Sequence, residues 1–145
     1  MQLLHDNFYI DGQLTEADFI TAKEAGITLI INNRPDAEEP GILSVERAKS
    51  LAEENGMNYL HLPMANGQPL SPELIPSMRK AIEEQNSEDG KILAHCRTGT
   101  RSSFLWGIIQ IMEGALNTSE VIQTAADAGI KLAGFAPILH NIEQE

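Results

Sequence analysis

The chain has 145 residues, 42% of them hydrophobic, with ten Lys and Arg against 21 Asp and Glu and a single cysteine. That length and apolar content suit one domain built around its own core, and exclude both a disordered tail and a disulfide-stapled mini-protein. A net charge of −11 argues against nucleic acid and anionic membrane surfaces as partners, and one thiol can build neither an internal disulfide nor a Cys-rich zinc site.

The first residues, Met1 to Asp6, carry no basic region and no apolar run of signal-peptide length, so a cytoplasmic location is expected. Phe8-Tyr9-Ile10 before Asp11-Gly12 reads as a short strand closed by a turn. Thr15, with Asp18 three residues on, caps a helix that runs to about Ala25 and stops at Gly26. Ile27 to Ile31 is apolar and rich in β-branched residues, as a strand buried on both faces should be. The loop Asn32-Asn33-Arg34-Pro35-Asp36-Ala37-Glu38-Glu39-Pro40-Gly41 follows it. A second unit repeats the scheme, with a helix from Ser44 to Glu54, a stop at Asn55-Gly56 and a strand over Met57 to Met64. Asn66-Gly67-Gln68-Pro69 is turn chemistry, and Ser71-Pro72 predicts a capped helix start lasting to Gln85. Lys91 to His95 is the next strand, after which the pattern is helical over Ser102 to Glu113, Ser119 to Ala128 with Thr118 as cap, and Ala136 to Ile142. No repeat or linker interrupts this order, so one domain over 1–145 is expected. The fold class is α/β, a small mostly parallel sheet of four to five strands flanked by helices.

The informative segment is Ala94-His95-Cys96-Arg97-Thr98-Gly99-Thr100-Arg101-Ser102, where a buried strand turns through glycine into an apolar helix. Ligands of open α/β sheets bind outside the carboxyl ends of the strands, and the N–H groups of such a turn converge as an anion site. Cys96 at its mouth is held toward the thiolate by the helix N-terminus and two arginines, which makes it the candidate nucleophile. The planar fork of Arg101 suits two oxygens of a tetrahedral anion. Gly99 permits the tight path. Arg97, Thr98 and Thr100 supply further binding groups, and the Ser102 hydroxyl is placed to donate to the sulfur as it leaves. An inert buried cysteine would gain nothing from such neighbours. His95 precedes Cys96 on a strand and points to the opposite face, so it is expected to orient the loop rather than act as a base. His5, His61 and His140 have no metal-ligand spacing, and neither metal nor cofactor is implied. Phe104, Trp106, Phe135 and Pro137 read as packing residues.

His95-Cys96 with Gly99 and Arg101-Ser102 resembles the signature loop of Cys-dependent protein phosphatases. The wider string, from Gly12-Gln13-Leu14-Thr15 through Arg34-Pro35-Asp36 to the Cys96 loop and Trp106, is similar to the bacterial beta-lactamase-hydrolase-like protein phosphatase-like domains. That resemblance implies a compact dual-specificity-phosphatase-like fold and a phosphorylated substrate or small anion as partner. Two features depart from the phosphatase pattern. Four residues separate Cys96 from Arg101 in place of five, a spacing similar to that of rhodanese sulfurtransferases, which would require an external thiol or other acceptor. The loop from Pro63 to Pro69, where such enzymes carry an Asp general acid, has no carboxylate. The remaining nearby candidates for the acid are Asp36, Glu38 and Glu39, with Asp36 preferred and Arg34 adding positive charge, against a turn-stabilising pair around Pro35. Glu38 and Glu39 read as solvated loop charges. Three functions stay open at this point: a phosphate monoester hydrolase, a persulfide carrier, and an anion-binding module without turnover.

Overall fold

A computed structural model describes residues 1–145. Its sheet has five strands in the order β1-β2-β5-β3-β4: β1 (Gln2–His5), β2 (Phe8–Asp11), β3 (Leu29–Asn32), β4 (Asn58–His61) and β5 (Ile92–His95). β1 and β2 form an antiparallel hairpin, and every other pairing is parallel, with Asp11 and Asn32 both level with His95. The ends of β2, β3, β4 and β5 therefore open on one edge. Six helices complete the chain: α1 (Glu16–Glu24), α2 (Val45–Glu54), α3 (Leu74–Ser87), α4 (Thr100–Met112), α5 (Thr118–Asp127) and α6 (Ala136–Glu143).

Alternation along the strands divides the core in two. Phe8, Ile10, Leu29, Ile31, Ile92 and Ala94 face α3 to α6, while Ile30 and Leu93 face α1 and α2 through Phe19, Ala22, Leu51 and Ala52. α4 is central to the larger half. Each residue from Arg101 to Ile109 is buried, which explains why its sequence is apolar all round instead of amphipathic.

The expected strand-helix order is present, with four differences in detail. β1 was not expected; it is a four-residue edge strand in which only Leu4 is buried. β4 is shorter than the predicted Met57 to Met64, but Leu62 and Met64 continue its ladder by donating to the Asn32 and Asn33 carbonyls. α3 starts at Leu74 because Ser71 to Glu73 form a preceding turn, with Leu74 N–H donating to Ser71 O. Pro76 then falls within the first turn, where a helix needs no N–H. α5 is capped by Asn117 instead of Thr118: the Asn117 side chain accepts from Glu120 N–H at 2.8 Å, and Glu120 accepts from Asn117 N–H at 3.0 Å.

Candidate active site

Four loops at the shared sheet edge build the site. The loop after β5 is held by backbone: Gln13 N–H donates to Arg97 O at 3.2 Å, and a Cβ on Gly12 would stand 2.8 Å from that same oxygen. Only glycine lets the two loops approach so closely. Gly99, at φ +92, begins α4 in the left-handed conformation that favours glycine. The turn gathers its N–H groups around one sulfur. Cys96 is 1% exposed, and burial alone pushes its thiol up; the N–H groups of Ser102, Thr98, Gly99 and Arg101 outweigh that and hold it below the ordinary value. Gly99 N–H is 3.1 Å from Sγ.

The Ser102 hydroxyl does not serve the sulfur, contrary to the expectation from sequence. It is buried and donates to Asn33 Oδ1 at 2.8 Å. Asn33 in turn donates through Nδ2 to Leu62 O and through N–H to His95 O, so one buried amide ties α4 to the ends of β4 and β5. Thr98 and Thr100 lie 3.1 Å apart through their hydroxyls.

Arg101 has five N–H donors, and their allocation is informative. Nη1 donates to Glu38 Oε2 at 2.8 Å and Met64 O at 2.9 Å, and Nη2 donates to Glu38 Oε1 at 2.8 Å. Nε–H and the second Nη2–H remain, and they lie side by side on one edge of the guanidinium. That is a fork for two anion oxygens. Glu38 thus orients Arg101 without using the edge an anion needs.

Glu38 is therefore not the solvated loop charge that its sequence context suggested. Its carboxylate also accepts from Arg34 Nε at 2.6 Å, and its side chain is 24% exposed. The hydrogen bond from Arg101 comes first among the causes that bring it down to about 2, assisted by Arg34 against the opposing effect of burial. It is ionised and cannot be a proton donor near neutral pH.

Arg34 and Asp36 also depart from their expected roles. Arg34 is 2% exposed, and three of its five N–H donors go to Glu38, Glu39 at 2.8 Å and Gln13 at 3.1 Å. It holds Glu38 in place and is not among the residues that line the cleft. Asp36 Oδ1 accepts from Val45 N–H at the start of α2, at 3.1 Å, and makes no hydrogen bond to the Cys96 loop. Between them Ala37 adopts φ +54, a local cost of about 1–2 kcal/mol in a residue with a Cβ.

His95 is buried, with Nδ1 a long 3.5 Å from Cys96 O and Nε2 without a partner. Burial lowers it to about 4, so near neutral pH it supplies no charge to the thiolate. The cleft above the loop is lined by Met64, Asn66, Gly67, Arg97, Thr98, Thr100, Arg101 and Phe135, and none of these is a carboxylic acid. No group of three or more His, Cys, Asp or Glu side chains is placed to hold a metal ion, and no helix is long and apolar enough to cross a membrane.

Gln13 and Asn33 are site residues with no role assigned from the sequence, and Glu38 is one whose role there differs from the solvated charge expected. Only Glu38 left a signal, its four-residue spacing from Arg34.

A mostly parallel five-stranded sheet whose strand-turn-helix anion loop carries the cysteine defines a phosphatase-like α/β domain of the dual-specificity type. The Tk-PTP structure in its active form has this fold, with a TM-score of 0.79 at 19% identity, over 99% of this chain and 96% of that one. The chain belongs to the family described as beta-lactamase hydrolase-like protein, phosphatase-like domain, which matches residues 1–113. A beta-lactamase hydrolase-like protein of Agrobacterium fabrum is 31% identical over 119 residues, covering 81% of this chain and 26% of that protein. The chain thus spans about a quarter of the length of the curated relatives it matches. The crystal structure of a candidate phosphatase from Neisseria meningitidis is 32% identical, with a TM-score of 0.80 over 97% of this chain and 96% of that one.

Proposed function

We propose that the chain is a Cys-dependent phosphatase acting on phosphate monoesters. The observation that carries this reading is the free edge of Arg101, held by Glu38 and Met64 O in the cleft above a sulfur that accepts from Gly99 N–H. In the reaction the Cys96 thiolate attacks phosphorus while Arg101 and the loop N–H groups hold the equatorial oxygens, which carry the developing charge. The ester bond breaks and its electron pair leaves on the oxygen. Water then attacks the cysteinyl phosphate, releasing phosphate and restoring the thiolate.

No cleft residue supplies a carboxylic acid to the leaving oxygen. Rates should therefore fall steeply as the leaving group becomes more basic, since general acid catalysis is worth about 10²–10⁴. The test is phosphate release from p-nitrophenyl phosphate by wild type, Cys96→Ser and Arg101→Lys. Wild type should turn over, Cys96→Ser should fall to background, and Arg101→Lys should lose about 10²–10³ in kcat, as for removal of one oriented oxyanion donor. Turnover no higher than that of Cys96→Ser overturns the reading, as does a stable gain of one sulfur atom on Cys96 from thiosulfate without phosphate release.

A further inference from the structure

Two observations that the hydrolysis of a simple monoester leaves unused meet at the same cleft. One is the missing acid. The other is Arg97. Of the five arginines in the chain, Arg34, Arg47, Arg79 and Arg101 are each in an ion pair with a glutamate. Arg97 is in none; it is exposed and lines the cleft beside Thr98, Arg101, Asn66 and Phe135. Its backbone is committed, since its carbonyl accepts from Gln13 N–H, but its side chain has no hydrogen bond within the protein. Glu39 is already bonded to Arg34 and feels Arg97 only through a coulombic attraction beyond ion-pair distance.

A leaving group that departs without a donated proton must be a weak base. Alkyl alcohols resemble water, with a pKa of roughly 15.7, and a tyrosine phenol lies near 10. The second ionisation of a phosphate lies at about 6, so a phosphate leaves as a stable anion at neutral pH. Such a leaving group also brings negative charge to the position beside the reacting phosphorus, where an unpaired guanidinium stands. The cleft volume is about 260 Å³, below the roughly 300–1,000 Å³ of ordinary ligand pockets. Recognition is thus concentrated on the charged end of the substrate, with the rest outside.

On the basis of the phosphatase reading above, we propose that the preferred substrates are phosphoanhydrides: a terminal phosphate seated in the Cys96 loop and the adjoining phosphate paired with Arg97. Cys96 Sγ forms its bond to the terminal phosphorus as the bond to the bridging oxygen breaks. The electron pair goes to that oxygen, which departs as part of a phosphate monoester stabilised by Arg97 and needing no proton from the protein. Water then cleaves the S–P bond, releasing inorganic phosphate and a proton. No oxidant or reductant is involved.

The experiment compares phosphate release from methyl diphosphate, methyl phosphate and p-nitrophenyl phosphate by wild type, Arg97→Gln and Arg97→Lys. Wild type should favour methyl diphosphate over methyl phosphate by roughly 10²-fold or more in kcat/KM, the scale of the acid catalysis that the monoester lacks. The ratio of kcat/KM on methyl diphosphate to that on p-nitrophenyl phosphate should drop about tenfold or more in Arg97→Gln, as expected for loss of one charged hydrogen bond. Arg97→Lys should recover part of it. An unchanged ratio in Arg97→Gln, or a wild type no faster on the diphosphate than on methyl phosphate, overturns the proposal. If p-nitrophenyl phosphate is still hydrolysed in those cases, the phosphatase reading stands alone; if wild type hydrolyses none of the three, both fall.

Discussion

His95 and Glu38 both hold protons less well than the same side chains do in water, for unlike reasons, and each leaves its own mark on acid stability. His95 is neutral because burial penalises its charged form, which takes it to about 4. An unfolded histidine takes up its proton near 6.5, so the unfolded state gains protons first as pH falls. Stability is full above about 6.5 and is lost between there and about 4. Glu38 is brought down to about 2 by Arg101 and Arg34; its contribution is full above the ordinary carboxylate range and is lost from about 4.5 down to about 2. The loss is on the order of 3 kcal/mol for buried His95, and smaller for Glu38, whose pairing is exposed enough for solvent to screen it. Urea midpoints measured across pH should decline in two windows. His95→Gln should flatten the upper window and Glu38→Gln the lower one, and an unaltered upper slope in His95→Gln would show that another group titrates there. Glu38→Gln should also lower phosphate turnover at neutral pH, because Arg101 loses the carboxylate that fixes its free edge.

Among the helices, the contact that sets how closely α5 approaches α4 is Gly107. A Cβ built there would lie 2.6 Å from Val121 Cγ1, and Val121 is fully buried. Gly107→Ala should therefore destabilise by about 1–3 kcal/mol through overpacking, despite the better helix propensity of alanine. Combining it with Val121→Ala should recover part of that loss, a coupling of about 1 kcal/mol in urea denaturation; strictly additive losses would mean that the two helices separate to make room. This contact was not legible in the sequence, where Gly107 is a lone glycine in an apolar run. What could be read was local: short apolar runs ending at turn residues gave β3 and β5, and the strand-glycine-helix pattern gave the Cys96 loop. What could not be read was long-range. Glu38 meets Arg101 from 63 positions away, and Ser102 meets Asn33 from 69, so neither bond leaves a period or spacing to find. The partners of Arg34 and Asp36 are hidden for the same reason: nothing beside Pro35 in the chain announces that Gln13 meets one and Val45 N–H the other.

The acidity of the whole molecule bears on how an anion reaches this site. Arg34, Arg97 and Arg101 stand there against Glu38 and Glu39, and ionisation of Cys96 makes it three charges of each sign. The loop attracts an anion through oriented N–H groups and one guanidinium edge, forces that act at contact distance. From farther off, a substrate meets the net charge of −11. A chain of this length has a radius of gyration of roughly 15 Å, while the screening length is about 30 Å at 0.01 M salt and about 10 Å at 0.1 M. Repulsion thus spans the molecule at low salt and is largely screened at the higher one. The rate of alkylation of Cys96 by anionic iodoacetate, relative to neutral iodoacetamide, should accordingly rise roughly two- to fivefold from 0.01 to 0.1 M salt. A ratio that falls instead would mean that the arginines at the cleft dominate the approach. The neutral reagent corrects for any effect of salt on the thiol itself, so the ratio isolates the field that an incoming phosphate would meet.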